Sequence, residues 1–580
     1  MPNSQKLMVA GFVRGFLPAS VLVGPGEVDN CIKAGEYAWV RTTGRVERFK
    51  GINSLSEATG SSSASQLIMP VNTQRGVLTT GNLIKYREAL FAVGSGQMYL
   101  DGSSTDMTTA TSALKVRVGT TWYTAGLAAP TAPTIAIGGA GGQTGSYSVK
   151  LAAKRTATQT VSNPSLASNV LTGLNNQAVN ITFPAAASGQ DAWLVYATSG
   201  GTGSTGPWKL VTEVSEATVA GYGGRANDFS WRDGELIDLA ENNRDTPPSA
   251  LGLGMLGGVL FLWGTFGGTC ISPSLPDFPE AFPPDLTIIT DPPETIIGVV
   301  AGEARAYVMT TNRLHVVSVG SSVQPLVMRP AWQGNFHHQN SAVFAGDTLY
   351  AAMGNTLVRS LGTDTEIPDQ TFAAPVSTLI RDWTPANIRV GYDPVNSAVV
   401  YFHWDGTNTT ALPFMLQTQI WSTPMTLPAR VISCATVNGI LYLLIQGSTL
   451  ASPFSSSANN QTYQWDAVSG SPTWNPTAYV ATPFNDCGFE GLDKMITGWQ
   501  VTAKSNGTAR LFINNSDVTN NSNAVGNPQA LSNPSRETHE AYSKQNVKFA
   551  RSLAMKVDFT NVDGTCSEVS VDGYISRVRR

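Results

Sequence analysis

Charged side chains are scarce in this sequence. They make up 13% of the 580 residues, and the formal net charge at pH 7 is -4. A protein that grips DNA or lies on an anionic membrane needs a basic surface, because Lys and Arg provide the attraction to phosphate groups. The composition therefore argues against both of these classes of protein.

Cysteines are few, and they form no recognisable pattern. Their number is odd, and no two have C-x-x-C spacing, which argues against a cysteine zinc site and a C-x-x-C redox pair. Free thiols in a protein assembled in a reducing compartment are favoured over a disulfide framework. The five are Cys31, Cys270, Cys434, Cys487 and Cys566.

Motifs of catalysis and metal binding are also missing. Neither G-x-S-x-G, G-x-x-x-x-G-K-[ST] nor H-E-x-x-H occurs. We therefore predict no catalytic residue, no cofactor-binding residue, no metal ligand and no cofactor, and we expect that the protein is not an enzyme. The five histidines are His315, His337, His338, His403 and His539. The adjacent His337 and His338 remain candidates for a pair of metal ligands.

Two pairs of carboxylates are candidates for a glycan-cleaving site. A glycosidase needs two carboxyl groups that meet in space, and Asp277 with Glu280 or Asp364 with Glu366 are candidates. Asp and Glu are also ordinary turn and cap residues, which is the favoured interpretation of both pairs.

Long apolar segments are absent as well. The run at 7–13 ends at Arg14, too early for a signal peptide, so we do not expect secretion by this route. Residues 251–268 carry no charge, but seven of them are glycine. They predict a strand and a glycine-rich turn instead of a membrane span.

The chain is rich in turn residues and in short apolar runs. It contains 56 Gly and 33 Pro, as is typical of β proteins with many turns. At 259–319 two predicted hairpins, 259–263 with 269–272 and 306–309 with 314–319, flank a proline-rich loop. Pro273, Pro276, Pro279, Pro283 and Pro284 prevent a ladder or helix in that loop.

Similar hairpins recur along the chain. Each has an aromatic residue among aliphatic ones, followed by a turn and a partner strand, as in 89–100, where Gly94 to Gly96 form the predicted turn. A spacing near 45 residues is typical of a β-propeller with one four-stranded sheet per repeat; a large irregular β-sandwich is the alternative. The aromatic residues are Phe91, Phe261, Tyr307, Tyr350, Tyr401 and Tyr442.

Two segments have a different pattern from these repeats. Residues 130–247 contain short strands joined by Gly, Asn and Ser loops and predict an immunoglobulin- or fibronectin III-like insert. Alternating strands after 456 predict a C-terminal β-sandwich, with 514–533 as a surface loop. The fold class is thus all-β, and the predicted domains are 1–129 (N-terminal strands, including an exposed hairpin at 37–49, and the first blades), 130–247 (insert), 248–455 (remaining blades) and 456–580 (sandwich).

This order of parts resembles the nozzle or hub proteins of short-tailed bacteriophages. In that family a β-propeller is interrupted by an immunoglobulin-like insert and followed by a β-sandwich platform. The segments that match best are 126–130 (GLAAP), 256–282 with Ser272, Pro273, Asp277, Phe278 and Phe282, the strand pair 307–317, and 481–501 (ATPFNDCGFEGLDKMITGWQV).

The resemblance implies a structural protein of the virion tail, assembled in the bacterial host cytoplasm. By resemblance six copies form a ring that continues the DNA channel below the portal or adaptor and conducts the genome during ejection. The implied partners are other copies of the chain, the tail adaptor, tail fibres or spikes and the passing DNA, with no stable membrane insertion. We predict a channel lined mainly by polar and acidic side chains, because phosphate contacts with Lys and Arg would slow transit.

Two alternatives from other classes remain. A tail-tip or surface propeller could bind a receptor or glycan through exposed aromatics such as Trp383, Trp404 and Trp421. A propeller hydrolase acting on polysaccharide is the third hypothesis. The C-terminal Arg577, Arg579 and Arg580 could dock an acidic neighbour, although a solvated tail is favoured.

Overall fold

The structure is a computed structural model, and it describes most of the chain. The described residues are 5–10, 34–40, 45–59, 66–68, 75–78, 82–86, 89–93, 96–100, 103–107, 112–119, 121–198, 202–203, 207–232, 242–302, 304–361, 367–437, 439–446, 461–466, 476–482, 484, 494–514, 516–531, 533–543, 549–559 and 565–575.

The predicted all-β class is confirmed. The described residues form many small antiparallel sheets, and their two α-helices, Glu216–Ala220 and Ser377–Ile380, are about one turn long. None of the helices in this part of the chain has the length and hydrophobicity to cross a membrane. Short 3-10 helices occur at Thr156–Thr158, Gly223–Arg225, Pro284–Leu286, Thr371–Val376, Pro385–Asn387 and Asn521–Asn523.

The chain divides into two compact units. Unit I comprises residues 1–77, 97–105 and 331–580, and unit II comprises residues 78–96 and 106–330. Each unit contains several four-stranded sheets and one sandwich of two facing sheets.

Unit II contains three sheets of the repeated kind. Neighbouring sheets share apolar cores: Phe91 of sheet 1 packs with Leu260 of sheet 2, and Phe261 of sheet 2 packs with Val308 of sheet 3. The strands are Asn82–Tyr86, Ala89–Val93, Lys115–Val118 and Thr121–Thr124 (sheet 1), Gly252–Leu256, Val259–Thr265, Cys270–Pro273 and Ile288–Ile289 (sheet 2), and Ile296–Ala301, Arg305–Thr310, Arg313–Val319 and Leu326–Gln333 (sheet 3).

Unit I contains three more sheets of this kind. Sheets 4 and 5 share one core, and sheets 5 and 6 share another. The strands are Ala342–Ala345, Thr348–Met353, Thr356–Leu361 and Ile367–Asp369 (sheet 4), Ile388–Asp393, Ala398–Trp404, Thr409–Met415, Ile420–Trp421 and Met425–Leu427 (sheet 5), and Val431–Val437, Ile440–Ile445, Gln461–Gln464 and Asn53–Thr59 (sheet 6). A further sheet joins Gln66–Ile68, Arg75–Leu78, Gly96–Leu100 and Ser103–Met107.

The recurrent aromatic residues occupy equivalent positions. All six lie on the second strand of their sheets, not on the first strand of an isolated hairpin. A second strand has a paired strand on each side and a neighbouring sheet against its face, so it takes aromatic and aliphatic residues. Phe91, Phe261, Tyr307 and Tyr401 are fully buried for this reason.

Both hairpins predicted within 259–319 are confirmed, but the one predicted at 89–100 is wrong. Val259–Thr265 pairs with Cys270–Pro273, and Arg305–Thr310 pairs with Arg313–Val319. In contrast, Ala89–Val93 has Asn82–Tyr86 on one side and Lys115–Val118 on the other. It has no free edge for Gly96–Leu100, which belongs to another sheet.

The insert in unit II is a sandwich of two four-stranded sheets. Trp193, Val149 and Ile181 are fully buried in its core. One sheet contains Thr202–Gly203, Thr134–Tyr147, Leu171–Thr182 and Ala226–Phe229, and the other Thr160–Val161, Val149–Arg155, Ala192–Thr198 and Trp208–Ser215. The immunoglobulin-like assignment and the boundaries at 130 and 247 stay predictions.

The sandwich of unit I takes strands from both ends of the chain. The predicted hairpin at 37–49 exists, but its predicted exposure is wrong, because Trp39 and Val40 are fully buried. The predicted surface loop at 514–533 contains a strand, Val525–Ala530. One sheet contains Gln5–Ala10, Ala38–Val40, Val46–Arg48, Lys494–Ser505, Asn533–Ser543, Phe549–Ala550 and Thr565–Ile575, and the other Ala34–Glu36, Ala478–Ala481, Thr508–Ile513, Val525–Ala530 and Leu553–Phe559.

Candidate functional site

Three of the five histidines lie on three different strands. His315 is buried on sheet 3, and burial lowers the pKa of its imidazole. His403 accepts a hydrogen bond from the main-chain N–H of Thr384 (2.9 Å) and stacks on Trp383. His539 lies on the strand Asn533–Ser543. Within the described ranges no group of three or more His, Cys, Asp and Glu residues could hold a metal ion.

The candidate carboxylate pair Asp277 and Glu280 does not form an open site. Asp277 is exposed, whereas the side chain of Glu280 is only 1% exposed and forms an ion pair with Arg155. A carboxylate that is buried and paired in this way is not accessible to a sugar. The other pair, Asp364 and Glu366, lies outside the described residues, as do Arg577, Arg579 and Arg580.

The three tryptophans proposed to stack on sugars differ in exposure. Trp421 is 2% exposed and donates its indole N–H to the main-chain oxygen of Phe372 (2.8 Å), and Trp383 is 7% exposed. The expectation that these two are exposed is wrong, because both pack in the core beside sheet 5. Trp404 is half-buried and keeps some exposed surface.

The cysteines that the structure describes carry free thiols, as predicted. Cys270 and Cys566 are buried, and burial raises the pKa of the Cys434 thiol to about 12. The Cys434 thiol is therefore protonated at neutral pH and reacts slowly. Cys31 and Cys487 lie outside the described residues.

A polar site of unit II joins the insert to sheets 1 and 2. At its centre Arg155 Nη1 and Glu280 Oε2 lie 2.7 Å apart, with the two side chains 2% and 1% exposed. Glu280 also accepts from the main-chain N–H of Gly126 (2.6 Å) and from the hydroxyl of Thr160 (2.6 Å). Three donors thus neutralise and solvate this carboxylate, as a buried charge requires.

Arg155 also makes several contacts besides its ion pair with Glu280. Its Nε donates to the main-chain oxygen of Gly189 (3.1 Å), its Nη2 donates to that of Thr124 (3.3 Å), and its guanidinium lies over the ring of Tyr123. Gly189 belongs to the insert, and Thr124 and Tyr123 belong to the last strand of sheet 1. One arginine therefore connects the insert with sheet 1 and with the proline-rich loop.

The residues at which the chain enters and leaves the insert meet at this site. Gly126 has a φ of +77°, and a Cβ there would lie 2.6 Å from Cδ of Pro247. The main-chain N–H of Phe282 donates to the oxygen of Asp245 (2.8 Å), and the guanidinium of Arg244 lies over the ring of Phe278. We call this set of contacts the insert junction. It fixes both connecting segments against the proline-rich loop.

A cavity of 230 Å³ lies next to the insert junction. Its walls are mainly apolar, and they come from the first two strands of sheet 1, the turn at 157–159 of the insert and the proline-rich loop. The lining residues are Tyr86, Ala89, Phe91, Ala157, Thr158, Gln159 and Pro279.

The sequence singled out two segments that meet at the insert junction, but it did not indicate the ion pair of Arg155 and Glu280. The segments 126–130 and 256–282 carry the family resemblance, and they contribute Gly126, Glu280 and Phe282. Arg155 gave no signal, because it lies on an ordinary alternating strand of the insert. A buried position for a charged residue on such a strand cannot be recognised before its distant partner is known.

Comparisons with known proteins give weak likenesses to solved structures. No family model matches, and no curated protein matches. The exo-β-1,3-galactanase of Phanerochaete chrysosporium is 9% identical with a TM-score of 0.20, covering 55% of this chain and 95% of that chain. A luciferin-regenerating enzyme is 8% identical with a TM-score of 0.24, covering 72% and 95%. PorZ, a surface component of the type-IX secretion system of Porphyromonas gingivalis, is 12% identical with a TM-score of 0.24, covering 73% and 44%. At these values the likenesses carry no argument about activity.

Proposed function

We propose that this protein is a structural subunit of a bacteriophage tail, a nozzle or hub that forms a ring and conducts DNA. The repeated four-stranded sheets would be the blades of a β-propeller, and the insert would be an immunoglobulin-like module. The subunit would assemble in the bacterial host cytoplasm and act in the virion without catalysis. Its partners would be further copies of itself, six by resemblance, the tail adaptor and the tail fibres or spikes.

The insert junction is the observation that supports this proposal. A conduit subunit must keep its modules aligned while DNA passes, and a module inserted through two linkers would otherwise rotate. Here the entry linker is bonded through Gly126 to Glu280 of the buried ion pair, and the exit linker is bonded through Asp245 to Phe282 of the same loop. The two segments that define the junction are also segments that resemble tail nozzle proteins.

The weak charge of the chain supports a ring made through neutral faces. Head-to-tail contacts about a closed axis require two complementary faces on each subunit. Because only 13% of the residues of the chain are charged, such faces would rely on apolar and hydrogen-bonded contacts. Salt weakens contacts of this kind little. The DNA would touch the channel without being held, because the net charge is -4.

The mass and shape of the purified full-length chain test this proposal. We expect light scattering and negative-stain images to reveal closed rings with an open axis, alone or with the tail adaptor, and their mass should not fall between low and high salt. A chain that stays monomeric at every concentration, with and without adaptor and fibre proteins, would contradict the proposal.

Receptor or glycan binding is the second candidate function. The half-buried Trp404 favours it, because this indole lies beside the exposed turn at 405–407. Incubation with host envelope glycans tests it: binding that Trp404→Ala abolishes would favour this function over a conduit. Release of reducing ends by the wild-type protein would favour the polysaccharide hydrolase instead.

A further inference from the structure

Arg389 is a buried arginine without an acidic partner among the described residues. It lies on the first strand of sheet 5 and is 5% exposed. Its Nε donates to the main-chain oxygen of Ile432 (2.7 Å), and its Nη1 donates to those of Ala386 (2.8 Å) and Ile388 (2.9 Å). Nη2 makes no hydrogen bond within the described part of the chain, so the guanidinium keeps unused donors.

Two further donor groups lie beside Arg389. Arg430 directly precedes the first strand of sheet 6 and uses Nη1 to donate to the side-chain oxygen of Gln446 (3.2 Å). Nδ1 of His338 accepts from the main-chain N–H of Asn340 (3.0 Å), which places the proton of the neutral imidazole on Nε2. Neither Nε2 of His338 nor Nη2 of Arg430 has a protein acceptor in the segments described.

Asn340 holds the three segments together. Its main-chain oxygen accepts from the N–H of Val390 (2.8 Å), the residue after Arg389, and its side-chain amide donates to the hydroxyl of Ser433 (2.9 Å). Arg389 itself bonds to Ile432, two residues beyond Arg430. The loop with His338, the strand with Arg389 and the strand that follows Arg430 are therefore directly bonded to one another.

The electrostatics of this cluster are positive. Burial, followed by the charges of Arg389 and Arg430, lowers the pKa of His338 to about 3, so its imidazole is neutral at pH 7. Burial, opposed by Cys434 and reinforced by the charge of Arg430, lowers the pKa of Arg389 to about 10. No carboxylate is among the described groups that act on either residue. A buried cation without a counter-charge is unfavourable.

We infer that Arg389, Arg430 and His338 form a binding site for a tetrahedral oxyanion of the phosphate class. Guanidinium groups present forked N–H donors that match phosphate oxygens, and charge-assisted hydrogen bonds of this kind are short and strong. The neutral Nε2–H of His338 adds a third donor from another segment. Arg430 and His338 are half-buried, so the site is open to solvent on their side. The anion supplies the negative charge that this cluster of side chains lacks.

Calorimetric titration of the full chain with inorganic phosphate at constant ionic strength tests this inference. The wild-type protein should bind one phosphate per chain, and Arg430→Gln should weaken binding at least about tenfold, since one charge-assisted contact is lost. Arg381→Gln is the matched control, because the side chain of Arg381 is 72% exposed and lies outside the cluster. The control should bind as the wild type does.

Each other outcome overturns the inference. These outcomes are no binding by the wild type, equal binding by Arg430→Gln, or an equal loss in Arg381→Gln, which would indicate attraction by net charge alone. Arg389→Met should abolish binding if that variant folds, and the half-buried Arg430 provides the test if it does not. The site would bind its anion whether or not the chain forms rings.

A second titration distinguishes the sources of phosphate. A short single-stranded oligonucleotide without terminal phosphates offers only backbone phosphodiesters. Binding that depends on Arg430 and is displaced by inorganic phosphate would assign the site to the nucleic-acid backbone. Binding of inorganic phosphate alone would assign it to free phosphate.

Discussion

Arg155 and Glu280 form a buried ion pair with 2.7 Å between Nη1 and Oε2, and this pair connects the insert to the proline-rich loop. Removing one partner leaves the other charge buried without compensation, which costs about 3–5 kcal/mol. We therefore expect Glu280→Ala to lower the free energy of unfolding of the intact chain by that amount in urea titrations.

The exposed pair of Lys154 and Glu213 provides the control for Glu280→Ala. Its nitrogen and oxygen are also 2.7 Å apart, but the Glu213 side chain is 43% exposed. Glu213→Ala should cost less than about 1 kcal/mol. The double variant Arg155→Leu with Glu280→Leu should recover much of the loss, because no lone charge stays buried. Equal effects of Glu280→Ala and Glu213→Ala would contradict the assigned role.

Gly126 should be intolerant of a side chain. Its φ of +77° is unfavourable for other residues, and a Cβ would lie 2.6 Å from Cδ of Pro247. We expect Gly126→Ala to destabilise the chain by about 2–4 kcal/mol in chemical denaturation, of which about 1 kcal/mol comes from the backbone angle. Gly119 has a φ of +59° with open space around its Cβ position, so Gly119→Ala should cost about 1 kcal/mol only. Equal losses in the two variants would mean that the contact with Pro247 is unimportant.

Asp393 should make the stability of unit I depend on pH. The side-chain amide of Asn396 donates to Asp393 (2.6 Å) and to Asp466 (2.9 Å). Burial, opposed in part by the bonds from Asn396 and reinforced by the charge of Asp466, raises the pKa of Asp393 from 3.8 to about 6. A raised acid pKa stabilises the fold below pH 4, and this contribution of about 2–3 kcal/mol is lost as the pH rises through 6.

The variant Asp393→Asn tests this pH dependence. Relative to the wild type, its free energy of unfolding should rise by about 2–3 kcal/mol between pH 4 and pH 8, because the variant has no charge to bury. Asp382→Asn, at a side chain that is 80% exposed, should keep a constant difference from the wild type over this range. If the free energies of unfolding of Asp393→Asn and the wild type also differ by a constant amount between pH 4 and pH 8, the prediction is wrong.

Trp39 should be essential for the association of the N-terminal segment with sheet 6. Its fully buried ring meets those of Phe49 and Trp465, both with centroids 6.3 Å away. Trp39→Ala should cost about 3–5 kcal/mol, measured by urea unfolding. Trp404→Ala, at a half-buried site, should cost clearly less. If the two substitutions have the same effect, the packing of Trp39 does not stabilise this region.

Local features of the fold could be predicted from the sequence. The strand at Val259–Thr265 and the turn after it follow from an apolar run and the glycines behind it. The aromatic series from Phe91 to Tyr442 was recognisable because each second strand is covered on both sides. These patterns can be recognised because they involve residues that lie close together in the sequence.

Pairings between distant segments could not be predicted in the same way. The wrong partner of Ala89–Val93 had a good turn signal, whereas one of its two true partners, Lys115–Val118, comes after two other strands. Trp383 and Trp421 belong to a residue type that is common on sugar-binding surfaces, but neighbouring segments bury both side chains. The ion pair of the insert junction depends on two residues in different modules, so its sequence signal is absent.

The strand Asn53–Thr59 completes sheet 6 by pairing with Gln461–Gln464. During synthesis the ribosome makes this N-terminal strand first and its partner about 400 residues later, which at ordinary translation rates is a delay on the order of 20–80 s. Sheet 6 therefore stays open until residues 461–464 have been synthesised. Truncated translation products that end before residue 461 lack the strand with which Asn53–Thr59 pairs, so in these products the N-terminal strand cannot join sheet 6.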